Sequence, residues 1–313
     1  MKLCVIGGAN VDITATSAEA FRFGDSNPGR VEVSWGGVGR NIAHNLALLG
    51  DEVELLTIFG GGLFGPVIAG ACKDLGIGIS HSEIAAEGTN SFFVSINNAD
   101  GELVGGVADM NATEGMTPQW LEKRLEVINN ADAVVADANS SAEALAWLID
   151  HCEKPLFLDA VSVAKAGRIR EAVNLSQKKQ FFALKCNAIE NVELASVTCC
   201  QRRYVSVGAE GLKVTCHLSP VTSHISHFTS HISHFTSHIP HSTFLSPAET
   251  YEFPALPCVV RNVTGGGDAL LAGIVHAGPD ATVEESARWG LECARCAVES
   301  PHAVSPQISL LHS

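Results

Sequence analysis

The sequence predicts an α/β fold in which a doubly wound, mostly parallel sheet is flanked by helices and carries a small β lid. Three observations predict it. The chain opens on Leu3-Cys4-Val5-Ile6-Gly7-Gly8, a short apolar run closed by glycines, which is how a strand buried on both faces of a parallel sheet reads. Short apolar runs then alternate with segments whose apolar residues recur at helical spacing, the rhythm of strand–helix–strand crossovers. Residues 91–107 break that rhythm, because two polar-alternating runs flank Asn97-Asn98-Ala99-Asp100-Gly101 in the pattern of a hairpin.

Taken in order, the first strand delivers Asn10 and Asp12 to the C-terminal edge of the sheet, where open α/β sheets bind ligands. A helix follows over 41–49 with Gly50 as its stop, then a strand over 52–59 and a helix over 66–75. After the hairpin, the spacing predicts one helix over 118–128, a strand over 133–136, a helix over 142–151, a strand over 156–159 and a helix around 166–173. Residues 284–299 read as one amphipathic helix. Lid strands are expected within 12–35 and 90–108 of a single domain spanning 1–313, placed to close over a substrate and exclude water.

With 46% hydrophobic residues in 313, the chain can bury a large core. A formal net charge of −14, with only 20 Lys+Arg, argues against a nucleic-acid polymer or an anionic membrane as partner and favours small molecules. No apolar run reaches the ~18 residues that span a bilayer, and a cytoplasmic location is expected. The cysteines sit mostly singly in apolar contexts, as buried free thiols do. Cys293-Ala-Arg-Cys296 has zinc-like spacing but lacks a second close pair. Ser-His-Ile-Ser-His-Phe-Thr at 223–229 recurs at 230–236 and then decays. Alternating histidines can chelate metals, yet an exact tandem copy reads more simply as a low-complexity insertion within 222–243, since loops lengthen at small cost.

Two glycine clusters carry the chemistry. In Asn262-Val263-Thr264-Gly265-Gly266-Gly267-Asp268, successive glycines let backbone N–H groups converge at the start of an apolar helix, where the helix end favours negative charge, and Asp268 stands ready to take a proton. A glycine-rich turn with Asp268 as a helix cap fits the same residues equally well. Gly36-Gly37-Val38-Gly39-Arg40-Asn41 precedes the first long helix, lets hydroxyls approach the backbone, and ends on an amide that both donates and accepts. Its spacing is not the dinucleotide pattern G-x-G-x-x-G.

Together these clusters resemble the paired signatures of the PfkB/ribokinase family of sugar and nucleoside kinases, over nearly the whole chain. Within that family, Asp25-Ser26-Asn27-Pro28-Gly29, the run 36–43, Ala108-Asp109-Met110-Asn111 and Asn262-Val263-Thr264 resemble the pseudouridine kinases. The resemblance implies a ribokinase-like fold and ATP-dependent phosphorylation of the 5′-hydroxyl of pseudouridine, with another sugar or nucleoside kinase (ribose, ketose or adenosine) or a catalytically silent nucleoside-binding homologue as alternatives. It implies Asp268 as base and Gly265, Gly266 and Gly267 as anion hole. Asn10, Asp12, Gly36, Gly37 and Asn41 would hold the ribose, while Asp25, Asn27, Asp109 and Asn111 would read the base or shape the lid. On the ATP side it implies Asn187, Ser206, Gly208, Gly211 and Thr264, with Glu190 acting on Mg²⁺ through water, since Mg²⁺ keeps several waters. The implied partners are a nucleoside and ATP, with no nucleic-acid polymer and no membrane. A homodimer through the lid stays open, as does K⁺ activation, because Asn262 stands where many sugar kinases carry an acid. The chain departs from the family between Glu190 and Ser206, which lie too close together for the usual helix, strand and second helix, so a covering layer of the sheet is expected to be missing there.

Overall fold

In the computed structural model, which describes residues 1–217 and 248–312, the opening apolar run forms β1 (Lys2–Ile6), paired in parallel on both sides. The chain then leaves the main sheet for the lid along β2 (Asn10–Ser17), returns antiparallel along β3 (Gly29–Gly36), and enters α1 (Val38–Leu48), which ends before Gly50 at φ 80°. Next come β4 (Glu52–Leu56), β5 (Ile58–Phe59), α2 (Phe64–Asp74), β6 (Glu83–Ile84) and the lid hairpin of β7 (Phe92–Asn97) and β8 (Leu103–Asp109). Two short helices, α3 (Pro118–Glu122) and α4 (Leu125–Asn129), lead to β9 (Ala133–Asp137), α5 (Ala142–His151), β10 (Leu156–Asp159) and α6 (Val163–Leu175). The second half adds β11 (Phe181–Asn187), α7 (Ala188–Glu193), β12 (Cys200–Ser206), β13 (Leu212–Cys216), β14 (Glu249–Phe253), α8 (Gly266–Ala277) and α9 (Val283–Val298).

The main sheet has eight strands in the order β14-β13-β12-β11-β10-β9-β1-β4, parallel from β12 to β4 and antiparallel at the β13–β14 edge. Alternation along β1 divides the core: Cys4 and Ile6 pack on the side of α5 and α6, whereas Leu3 and Val5 pack on the side of α1 and α8. The lid is a second sheet in the order β3-β2-β7-β8, with the expected hairpin as its outer half. Trp35, Phe64 and Phe92, with ring centroids 6.4 and 5.6 Å apart, fasten the lid's base to α2.

Two expected elements differ. The strand expected over 52–59 divides after Leu56, because Ser82 Oγ takes the N–H of Thr57 and β5 pairs instead with β6 in a separate ribbon. The helix expected over 118–128 breaks at Lys123–Arg124. There the Arg124 guanidinium turns inward to donate to Trp120 O (2.7 Å), His81 O (2.6 Å) and Glu83 Oε1 (2.5 Å), and its backbone leaves the helical region at φ −116°. Between Glu190 and Ser206 the crossover consists of α7 alone, and β12 still pairs with β11 along its length. Arg203 staples this shortened connection, donating to Asn191 Oδ1 (2.7 Å), Leu194 O (3.1 Å) and Val197 O. The histidine repeat lies outside the described residues.

Candidate active site

The C-terminal ends of β9, β10 and β11 bring Asp137, Asp159 and Lys185 to one edge of the sheet, and the start of α8 faces them. Gly265 is the residue that opens α8, left-handed at φ 82°, and a Cβ there would lie 2.0 Å from Ala303 O. No side chain caps the helix, and among the described residues the N–H groups of Gly267 and Asp268 make no hydrogen bond. An uncapped first turn of this kind offers free N–H donors to an anion. Asp268 sits inside the helix as its third residue, so it is not the cap that the competing reading required.

The Asp268 carboxylate accepts a hydrogen bond from Asn41 Nδ2 at 2.9 Å, which joins the two glycine clusters across the cleft. Burial, reinforced by the nearby Asp159, pushes its pKa up to about 7 against the pull of Lys185 and Asn41. Asp137, fully buried, accepts from the N–H groups of Gly8 and Asn139, each at 2.9 Å, and so ties β9 to the exit of β1.

Lys185 is the residue that sequence reasoning missed. Its Nζ lies 3.0 Å from Asp159 Oδ2 with both side chains buried, and a Cβ on Gly267 would come within 2.6 Å of it. Burial works against its charge, but Asp159, Asp268 and Glu190 outweigh burial and hold the ammonium above the ordinary lysine range. The signal was a lone lysine within the apolar strand run Phe181-Phe182-Ala183-Leu184-Lys185-Cys186.

On the lid side, Gly37 at φ 100° lies so close to Gly8 that a Cβ would fall 2.4 Å from the Gly8 carbonyl oxygen, and a Cβ on Gly36 would strike the Asp12 carboxylate. Asn10 Nδ2 donates to Asp12 Oδ1 at 2.5 Å, and burial raises Asp12 to about 6 despite the opposing effects of Asn10 and Arg40. Asp109 and Asn111 line a cavity of about 410 Å³ at the base of the lid. Asp25 and Asn27 do not join them. They lie on the β2–β3 loop, where Asn27 is occupied with Arg22, accepting from its N–H at 2.8 Å and donating to its carbonyl at 2.9 Å.

On the other side, Asn187 caps α7, its Oδ1 accepting from Ile189 N (2.9 Å) and Glu190 N (2.8 Å), while Glu190 Oε2 accepts from Asn187 N at 2.8 Å. Ser206 stands opposite Asn187 in the β11–β12 register. Gly208 (φ 59°) and Gly211 (φ 108°) turn the chain into β13, and Gly211 passes so close to β14 that a Cβ would meet Phe253 O at 2.1 Å. Thr264 is exposed just before Gly265, its N–H bonded to Asn262 Oδ1 at 2.9 Å. Among the described residues no group of three or more His, Cys, Asp or Glu side chains could hold a metal. A divalent ion beside Glu190 would therefore take most of its ligands from water and phosphate, which suits Mg²⁺. Cys293 and Cys296 are buried free thiols on α9.

Residues 1–199 match the pfkB family carbohydrate kinases. Pseudouridine kinase of Escherichia coli (strain K12) is 30% identical over 98% of this chain and 93% of its own length. Pseudouridine kinase of Arabidopsis thaliana is 25% identical over 99% of this chain and 94% of its own. Ribokinase of Arabidopsis thaliana, solved with ribose and ATP, superposes with a TM-score of 0.75 over 99% of this chain and 97% of its own at 17% identity, a likeness of fold.

Proposed function

Since this chain belongs to the pfkB family of carbohydrate kinases, we propose that it transfers the γ-phosphoryl group of ATP to the 5′-hydroxyl of pseudouridine, giving pseudouridine 5′-phosphate and ADP. The observation that carries the reading is Asp268, set in the uncapped first turn of α8 and held by Asn41. The choice of pseudouridine rests on the likeness to the Escherichia coli pseudouridine kinase across almost the full length of both chains.

In this reading Asn10, Asp12 and the backbone at Gly36–Gly37 hold the ribose at the base of the lid. Asp268 takes the proton of the 5′-hydroxyl as the new O–P bond forms and the bond from the γ-phosphorus to the bridging oxygen breaks. The N–H groups of the Gly265–Gly267 turn receive the equatorial oxygens, and the Lys185 ammonium against Gly267 offsets their charge. Phosphoryl transfer asks mainly for such positioning and charge stabilisation. Asn187, Ser206, Gly208, Gly211 and Thr264 border the ATP, and Glu190 would hold Mg²⁺ through water, an ion that supplies charge neutralisation between the phosphates. Asp25 and Asn27 have no assigned contact in this scheme.

A coupled assay of ADP release with pseudouridine, uridine, adenosine, ribose and fructose tests the reading. The expected outcome is highest kcat/KM with pseudouridine. Preference for ribose, fructose or adenosine would overturn the substrate and leave the phosphotransferase class intact.

A homodimer through the lid is proposed on a separate observation. The cross-strand rows Val33–Ile13–Val94–Val107 and Val31–Ala15–Ile96 run across all or most of the sheet on one face, and their valines and Ile96 are exposed. A second copy of the same face would cover them.

A further inference from the structure

We propose that Arg40 is a positioning residue for the sugar: its backbone fastens the strand that enters the lid, its guanidinium fastens the strand that returns, and the groups that meet the ribose are thereby held as one set. The inference rests on the reading above that the ribose lies at Asn10, Asp12 and Gly36–Gly37.

The chain first crosses from core to lid at Gly8–Asn10 and returns at Trp35–Gly37. In the register of β2 with β3, Asn10 faces Gly36 and Asp12 faces Ser34, with Val11 opposite Trp35 between them. A shift of one crossing against the other would therefore displace the Asn10 and Asp12 side chains from the backbone at Gly36–Gly37.

Arg40 reaches both crossings. It lies in the first turn of α1, where N–H groups find no partner within the helix, and its N–H donates to Gly8 O at 3.1 Å. Gly39 permits this approach, since a Cβ there would lie 2.7 Å from the backbone of Gly7. Gly8 is also held from the other side, its N–H donating to Asp137 Oδ2 at 2.9 Å, so the entering strand is tied to β9 and α1 together. The guanidinium turns back to the returning strand, where Nη1 donates to Trp35 O at 2.8 Å. The Trp35 ring meanwhile packs on Phe64 of α2. One helix thus holds this residue by its carbonyl and another by its ring.

A buried arginine is a costly way to secure one carbonyl. Arg40 is 4% exposed, and its Nε is buried with no hydrogen-bond partner among the described residues. Burial works against its charge, and the Cys72 thiol of α2 and the Asp12 carboxylate work for it. His44, one turn further along α1, is pushed down to about 4 by burial and by Arg40, so it stays neutral at pH 7 and does not compete for Asp12. The guanidinium in turn opposes the burial that raises Asp12, which favours the ionised form that accepts from a ribose hydroxyl. An apolar side chain of similar length would fill the same space without that desolvation. It would lack the donor to Trp35 and the charge facing Asp12, and both of these bear on the sugar.

Initial-rate kinetics on the full-length enzyme test this with wild type, Arg40→Lys and Arg40→Met, using whichever of the acceptors named above the wild type phosphorylates best. Arg40→Met should raise the acceptor KM by ~10- to 100-fold while the ATP KM stays within about twofold. It should also release more ADP than phosphorylated acceptor, because a lid out of register excludes water less well. Arg40→Lys keeps the charge without the planar fork and should fall between the other two. The inference is overturned, with the substrate reading left standing, if Arg40→Met keeps the wild-type acceptor KM, or if Arg40→Lys does so where Arg40→Met fails to fold. A joint rise of acceptor and ATP KM with a lowered thermal midpoint, the mark of a general loosening, overturns it as well. Preference of the wild type for ribose or adenosine overturns the substrate reading alone, and the same KM comparison with that acceptor decides the inference. A wild type inert toward every acceptor overturns both.

Discussion

Burial, the neighbouring carboxylates of Asp159 and Asp137, the Lys185 ammonium and the Asn41 amide set the acidity of Asp268. Burial and Asp159 push it up, Lys185 pulls it back, and the balance near 7 leaves the group able to take a proton at neutral pH. The pH dependence follows. Below about 7 the base is protonated, so kcat/KM is expected to fall about tenfold per pH unit on the acid side, read from a buffer-matched rate profile. Replacing Asp268 with Asn should lower kcat by ~10²-fold or more. The same change should raise the thermal midpoint at pH 8. A folded-state pKa above the ordinary 3.8 means the native chain holds a proton that the unfolded chain has lost, so this carboxyl subtracts stability as pH climbs from about 4 through about 7. Asn cannot ionise, and differential scanning fluorimetry at pH 5 and 8 would show the gap between the proteins widening at the higher pH. At this scale the helix start at Gly265–Asp268 was legible, because three glycines before an acid is a pattern in consecutive residues. Lys185 was not, because its meaning depends on Asp159 at the end of a different strand and on Gly267 beyond the repeat.

Among the elements, α8 is tightly constrained at its N-cap. Gly265 combines a left-handed backbone with the close approach of the Ala303 carbonyl. Gly265→Ala is expected to destabilise the protein by about 1–3 kcal/mol, measured by urea denaturation, because the backbone region is costly for a side chain and the contact cannot relax without moving the 300–305 segment. The helix over 142–151 and the strand over 156–159 were legible to the residue, since Ser141 caps α5 and the flanking periodicities are clean. The break between α3 and α4 was not. Apolar spacing runs straight through it, and only the carbonyl of His81 and the carboxylate of Glu83, remote in sequence, draw Arg124 out of line. The shortened crossover from β11 to β12 teaches the same lesson, since Arg203, beyond it in the chain, satisfies its Leu194 and Val197 carbonyls.

For the whole molecule, the exposed apolar rows of the lid are the surface on which the proposed dimer rests. Val94 lies at the middle of one row, between Ile13 and Val107. Val94→Lys is expected to convert a dimer to a monomer in light scattering while leaving the far-ultraviolet circular dichroism unchanged, since the new charge faces outward from an intact sheet. The core required only short apolar runs and helical spacing along the chain to be foreseen, which is why the sheet and its flanking helices were legible, whereas association through the lid depends on a second copy of the chain.

The edge hairpin has a consequence of another kind. β13 and β14 pair from Leu212↔Phe253 to Cys216↔Glu249, so the polypeptide departs from the ladder and rejoins it across one rung. At that rung β13 and β14 require only that the chain ends at Cys216 and Glu249 meet. Each doubling of such a segment costs only about 0.6 kcal/mol in closure entropy. Copies of a seven-residue unit can therefore accumulate or vanish there between lineages with little trace in folding, and the same rung is where an engineer could graft a foreign domain.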